Sequence, residues 1–259
     1  MSFRLIARLD VKLNHLIKGV QMEGWRKVGD PVTRAKKYCS DGVDEIIYID
    51  AVASLYQRNN LYDLVRAVAA HAFIPMTVGG GIADIAAAKA LMAVGADKLA
   101  INTAATARPI FLAELSDTFG SQAVVLNIEA KALPGGGWTV MTDNGRNHTG
   151  RDAVAWAREA AGLGIGEILV TSIDRDGSCK GMDLGLISQL SREVDIPIIA
   201  SGGCANAAHV LAATKAGADA IAIGAALHLD KLSLRPLRDE LRTSGLEMRP
   251  FPEDSLNNG

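Results

Sequence analysis

The second half of the chain retraces the first. Ile74-Pro75 through Val78-Gly79-Gly80-Gly81 matches Ile196-Pro197 through Ala200-Ser201-Gly202-Gly203, an offset of 122 residues. At the same offset Gly95-Ala96-Asp97-Lys98-Leu99-Ala100-Ile101 matches Gly217-Ala218-Asp219-Ala220-Ile221-Ala222-Ile223. Asp44-Glu45-Ile46-Ile47 stands opposite Gly166-Glu167-Ile168-Leu169, and Leu9-Asp10-Val11-Lys12 stands opposite Ile128-Glu129-Ala130-Lys131 at an offset of 119. Four segments recurring in one order, with so small a drift, describe a duplicated set of supersecondary units.

Each repeated segment contains a short apolar run. The eight runs lie at Arg4–Asp10, Glu45–Asp50, Ile74–Val78, Lys98–Ile101, Ala123–Glu129, Glu167–Thr171, Pro197–Ala200 and Ala220–Ile223. Runs of this kind suit parallel strands covered on both faces. Between them lie stretches of helical period, such as Leu61, Leu64, Val65 and Val68. The spacing predicts an α/β protein, a single (β/α)8 TIM barrel built from two related half-barrels of four βα units each. Residues 1–247 form the barrel in this reading, and residues 248–259, without periodicity, form a loose C-terminal tail. A Rossmann-like open sheet is the alternative, but it gives no reason to repeat a Gly-Gly turn at the third and seventh strands.

The 259 residues suit one barrel of roughly 250 residues. Lys plus Arg total 27 and Asp plus Glu total 29, so the basic excess of a nucleic-acid binder is absent. No apolar stretch approaches the ~18 residues of a membrane span. The start, Met1-Ser2-Phe3-Arg4, has no signal-peptide pattern, and three scattered cysteines, Cys39, Cys179 and Cys204, form neither a zinc pattern nor a disulfide framework. A reducing cytoplasm is the expected location, with no metal and no nicotinamide or flavin cofactor.

In such barrels the reacting groups sit at the C-terminal ends of the strands. Each half supplies a glycine-rich turn after its third strand, Gly80-Gly81 and Gly202-Gly203, and a small-residue turn after its fourth, Asn102-Thr103 and Gly224-Ala225. Glycine lets backbone N–H groups approach an anion, and the helix start that follows carries partial positive charge. A single Gly-Gly turn can be mere tight packing; paired turns present twice point to two phosphate sites across the mouth. An elongated substrate with a phosphate at each end fits them.

Asp10 and Glu129 end the first and fifth strands, opposed between those sites, and suit general acid and base work. The bland reading is that each caps a loop or pairs with Lys12 or Lys131. Asp50, Asp174 and Asp176 end the second and sixth strands and are expected to bind substrate hydroxyls or order loops, within the polar run Thr171-Ser172-Ile173-Asp174-Arg175-Asp176-Gly177 for the latter two. No His stands at a strand end beside a Ser or Cys, so a catalytic triad is not expected, and His228 reads as structural. At the opposite end, Arg4, Glu45, Lys98 and Glu167 begin strands one, two, four and six. These alternating charges form either a ring inside the barrel or ordinary surface charges at strand entrances.

Over about residues 3 to 250 the sequence resembles the cyclase subunit of imidazole glycerol phosphate synthase. The resemblance rests on Leu9-Asp10-Val11-Lys12, Lys18-Gly19, Gly29-Asp30-Pro31, Val78-Gly79-Gly80-Gly81-Ile82, Ile101-Asn102-Thr103-Ala104-Ala105, Phe119-Gly120-Ser121-Gln122, Thr171 to Gly177 and Ala200-Ser201-Gly202-Gly203. It implies a lyase-type cyclisation in histidine biosynthesis, in which ammonia from a partner glutaminase attacks a bisphosphorylated ribulosyl-formimino-aminoimidazole carboxamide ribonucleotide. The resemblance makes Asp10 and Glu129 the acid and base, and places Lys18 on a mobile loop closing over substrate, about Leu13 to Gly29. It assigns Thr171, Asp176 and Gly177, with the glycine turns, to substrate binding. It makes Arg4, Glu45, Lys98 and Glu167 an ammonia gate, and docks the glutaminase at the N-terminal barrel face, where Asp97 matches an interface residue. The stretch Gly135 to Asn147 reads as an inserted hairpin with Trp138-Thr139-Val140 as one leg.

Four positions depart from the family pattern. Glu129 stands for Asp, Arg8 for a usual Cys, Val52 for a threonine and Ala225 for a serine. One methylene moves a carboxylate by about 1 Å, enough to cost on the order of 10²-fold in rate unless its surroundings compensate. Arg8 points toward the barrel interior or its mouth and suits another anionic group. Similar barrels serve surface-polysaccharide biosynthesis, delivering ammonia for acetamidino groups on sugars. That is the alternative function, either as an enzyme or as a conduit that catalyses nothing.

Overall fold

The computed structural model describes residues 2–53 and 61–250. Twelve strands are present among them. Eight pair in parallel: β1 (Arg4–Lys12), β4 (Glu45–Asp50), β5 (Met76–Gly79), β6 (Lys98–Ile101), β7 (Val124–Ala132), β10 (Glu167–Ser172), β11 (Ile198–Ser201) and β12 (Ala220–Ile223). They follow one another in chain order around the sheet, and β12 closes on β1 through the register Arg4↔Ala220 to Ala7↔Ile223. An open Rossmann-like sheet leaves two edges; this closure leaves none. The fold is a (β/α)8 barrel.

The remaining four strands make two antiparallel hairpins, each following the first strand of its half. β2 (His15–Val20) and β3 (Glu23–Gly29) continue from β1; β8 (Trp138–Thr142) and β9 (Asn147–Asp152) continue from β7. The expected lid and the expected insertion are therefore equivalent elements of the two halves. Both halves also start their first helix alike. Asp30 accepts from Thr33 N–H and Asp152 from Ala155 N–H, capping helices Pro31–Ser40 and Ala153–Ala161 at the 122-residue offset. Pro31 adds a preset first helical residue. The third helices repeat the device: Asp84 caps onto Ala87 N–H and Asn206 onto His209 N–H.

Strand alternation sorts the apolar side chains into two cores. Leu5, Ala7, Leu9 and Val11 of β1 face outward into the layer packed beneath the helices, with Val65 and Val68 of helix Leu61–Ala69 among their partners in that core. Ile6, Ile47, Ile49, Ala100, Val125, Leu169, Ile199, Ala220 and Ala222 face inward and fill the barrel. No helix among the described residues is long and apolar enough to cross a membrane. Of the expected tail, 251–259 lie outside the described residues; Met248 itself is buried and bridges to Phe3.

Candidate active site

The inward column of β1 reads Arg4, Ile6, Arg8, Asp10 from bottom to top, and that of β7 reads Val125, Asn127, Glu129. Both columns end at the rim where the βα loops lie, and both carboxylates are buried there. The glycine turns after β5 and β11 share this rim. Gly80 and Gly81 have φ of 104° and 69°, and Gly202 and Gly203 have 101° and 94°. Consecutive left-handed residues are open to glycine at little cost, and contact reinforces the restriction: a Cβ on Gly203 would lie 2.1 Å from the Gly181 carbonyl oxygen. The second turns match as well, Asn102 at φ −125°, ψ −84° and Gly224 at φ −116°, ψ −80°.

The two halves of the mouth differ in what occupies them. On the β4–β7 side a cavity of about 580 Å³ is lined by Asp50, Gly80, Gly81, Asn102, Thr103 and Glu129, among others. On the other side the space between Gly202, Gly203, Gly224 and Ala225 is narrow, because Lys18 and Asp176 stand beside it. Lys18 reaches in from the β2–β3 hairpin. Its Nζ lies 3.0 Å from Asp10 and 2.8 Å from Asp176. Gly177 permits this approach, since a Cβ there would lie 2.2 Å from the Gly19 carbonyl oxygen.

Arg8 is buried inside the barrel. Its Nε donates to Asp10 Oδ1 at 2.9 Å, and its Nη1 donates to Thr171 Oγ1 and Ser201 Oγ. The anionic group expected for Arg8 is thus Asp10 of its own strand. Burial alone would raise the Asp10 pKa, but Arg8 and Lys18 outweigh it and hold the carboxyl well below the usual range. Glu129 is the opposite case. Burial pushes its pKa up to about 7; Arg8 and the Gly145 N–H pull it down, while Asp10 and Asp143 add to the rise. The Gly145 N–H donates to Glu129 Oε2 at 2.8 Å. Neither carboxylate pairs with Lys12 or Lys131: Lys12 lies over Trp25 and Lys131 binds Asp174.

Asp174 also accepts from Ala132 N–H and so ties the β10 loop to β7. Asp50 lines the cavity, accepts from Val52 N–H, and is shifted upward by burial against the opposing hydrogen bonds of Val52 and Ala53. Asn102 donates to the Met141 carbonyl and Thr103 bonds Asp143, so this cradle also grips the β8–β9 hairpin. His228 hydrogen-bonds the Arg8 carbonyl and Tyr38 Oη, with its pKa pushed down by burial to about 4.

At the opposite rim the four charges close a ring. Arg4 lies 2.7 Å from both Glu45 and Glu167; Lys98 lies 2.7 Å from Glu167 and 3.3 Å from Glu45. They are not surface charges, for all four side chains are largely buried. Asp97 is exposed on this face, with its carboxylate accepting from Met76 N–H; Asp219 does the same for Ile198 N–H in the other half.

Sequence reasoning missed the tip of the β8–β9 hairpin. Asp143, Asn144 and Gly145 have three successive positive φ angles, and Asn144 lines the cavity beside Glu129. The Asp-Asn-Gly triplet signalled a tight turn, but not where the turn would land.

Comparison with known proteins decides the family. Residues 4–233 match the family described as histidine biosynthesis protein. The chain belongs to that family. The imidazole glycerol phosphate synthase subunit HisF of Legionella pneumophila is 57% identical over 202 residues, covering 78% of this chain and 95% of that protein. The subunit of the same name from Myxococcus xanthus is 47% identical over 250 residues, covering 96% and 98%. That of Mycobacteroides abscessus is 42% identical over 255 residues, covering 96% and 99%. The family resemblance drawn from the motifs is the one these relatives carry.

Proposed function

We propose that this chain is the cyclase subunit of an imidazole glycerol phosphate synthase, a lyase-type enzyme of histidine biosynthesis. It takes ammonia from a glutaminase subunit and converts phosphoribulosyl-formimino-aminoimidazole carboxamide ribonucleotide to imidazole glycerol phosphate and aminoimidazole carboxamide ribonucleotide. The observation that carries the reading is the opposition of two buried carboxyls, one shifted down by its cations and one shifted up by burial, between duplicated glycine turns in a chain with these relatives. None of the relatives reported above supports the sugar-amidation alternative.

At neutral pH Glu129 retains its proton for much of the time and is the general acid; Asp10 is ionised and is the base. A carboxylate between two cations is a weak base. Lys18 relieves this when substrate arrives, since its ammonium stands beside the second glycine turn and exchanges Asp10 for a phosphate. The first phosphate binds at Gly80, Gly81, Asn102 and Thr103, and the second at Gly202, Gly203, Gly224 and Ala225, with Gly177 shaping the loop between. Thr171, held by Arg8, and Asp50 stand near the substrate's middle. The Gly145 N–H fixes the longer Glu129 side chain and compensates for the family's shorter aspartate.

Ammonia enters through the ring of Arg4, Glu45, Lys98 and Glu167. The glutaminase docks at that face with Asp97 in its interface. Phe73, in the turn before β5, is 94% exposed there and offers the apolar contact such docking needs. The test is direct: the purified chain, given substrate and ammonium at alkaline pH, forms imidazole glycerol phosphate, and uses glutamine only with its partner. No product from intact substrate under those conditions overturns the assignment.

A further inference from the structure

Between the charged ring and the two carboxyls, the barrel interior is apolar except at a few points, and one of them lines the cavity. Asn127 is inward on β7 and only 4% exposed, and its Oδ1 is buried without a hydrogen-bond partner. A buried amide oxygen left without a donor costs free energy that a well-packed alanine or valine would not. The inward column makes its position telling. Parallel pairing with β10 sets Val125 level with Glu167 of the ring, Asn127 level with Leu169, and Glu129 level with Thr171. Asn127 is therefore midway between ring and carboxyl, about 6–7 Å from each along the strand. It lies at the floor of the 580 Å³ cavity, beside Ile49 and Ala100.

One side of the interior is occupied. The Arg8 guanidinium, tied to Asp10, Thr171 and Ser201, fills the β1–β10–β11 side of the interior at the level above. The Thr77 hydroxyl is also unpartnered, but it is level with Lys98 at the ring and does not line the cavity. A small molecule passing from ring to Glu129 meets Asn127 as the polar group at the cavity floor.

We propose that the Asn127 side-chain amide is a binding position for free ammonia at the point where it leaves the apolar interior and enters the cavity below Glu129. This rests on the ammonia-using reading above. The chemistry favours the neutral molecule. Ammonia brings three N–H donors to an amide oxygen that lacks one, whereas ammonium entering this interior would need a counter-charge that a neutral amide cannot give. Arg8 moves the path off the barrel axis and toward β7, so the station and the arginine belong to one arrangement.

Two measurements test it on the full chain. Asparagine side-chain amides labelled with nitrogen-15 are titrated with ammonium chloride at alkaline pH, where free ammonia is present, and at pH 6 at equal ionic strength. The Asn127 resonance, identified by its loss in Asn127→Ala, shifts in the first series and not in the second. No shift in either series, or equal shifts in both, overturns the proposal, and neither outcome depends on catalysis. In the ammonia-driven cyclisation, Asn127→Ala raises KM for ammonia about fivefold, the equivalent of about 1 kcal/mol for one hydrogen bond, with little change in kcat. An unchanged KM alongside normal wild-type turnover counts against the station alone, whereas absent wild-type turnover counts against the functional reading alone.

Discussion

Arg8 and Asp10 stand two residues apart on one strand face and are joined inside the barrel by an Nε–Oδ1 hydrogen bond of 2.9 Å. Inward positions two apart on a strand bring side chains close enough to pair. With Lys18, Arg8 holds the carboxyl of this candidate catalytic group well below the usual carboxylate range. It also leaves the two candidate carboxyls chemically unequal.

Replacing Arg8 with methionine keeps bulk and removes the charge. Asp10 then relies on Lys18 alone, and the Thr171 and Ser201 hydroxyls lose a donor. Breaking a buried pair costs about 3–5 kcal/mol, and urea unfolding of Arg8→Met should register a loss of that order. The double variant Arg8→Met with Asp10→Asn should recover part of it, because the stranded carboxylate is gone. Strictly additive losses would show that the two side chains do not depend on each other.

Glu129 makes stability depend on pH with a definite sign. Its folded pKa is raised from 4.5 to about 7. The stability this contributes is complete below the unfolded pKa near 4.5 and disappears as pH rises through about 7. Glu129→Gln removes that dependence. Comparing the two proteins at pH 4 and pH 8, the variant's relative stability should improve at the higher pH by up to about 3 kcal/mol. A difference that is flat across this range would contradict a buried Glu129 with a raised pKa.

Lys98 is one of only two cations in the ring. Lys98→Met leaves Glu45 and Glu167 to share Arg4, and the imbalance loosens the closure. Product formation driven by glutamine through the partner should fall relative to that driven by free ammonium, measured as a ratio in the same preparation. An unchanged ratio would separate the ring from ammonia passage.

Gly177 touches the lid hairpin directly. With φ at +70° and a Cβ position 2.2 Å from the Gly19 carbonyl oxygen, alanine cannot sit there while β2 is docked. Gly177→Ala should release the hairpin without unfolding the barrel. Limited trypsin digestion at Lys18, Arg26 and Lys27 should accelerate severalfold while the global thermal transition moves little. Cleavage at the wild-type rate would mean the hairpin does not need this contact.

Much of the site was legible because duplication is visible in one dimension. Asp10 and Glu129 fall at matching strand ends, and Gly80-Gly81 and Gly202-Gly203 at matching turns, so their common rim followed from topology. The ring of Arg4, Glu45, Lys98 and Glu167 was legible as a charge at four strand entrances. Whether those charges faced inward depended on strand parity and register, which a one-residue slip would reverse. The role of Gly145 was not legible, because nothing in a turn triplet states which carboxylate it will reach 16 residues back.

The sequence by itself determined the barrel, its two halves and the rim where the candidate site residues gather, because periodicity and repetition are properties of residue order. Only the tertiary structure decided that Arg8 and Lys18 hold the Asp10 carboxyl well below the usual range while burial raises that of Glu129 to about 7. Charge state depends on burial and on the distance to other charges, and those distances exist only after β1, β7, β10 and the two hairpins have closed on one another.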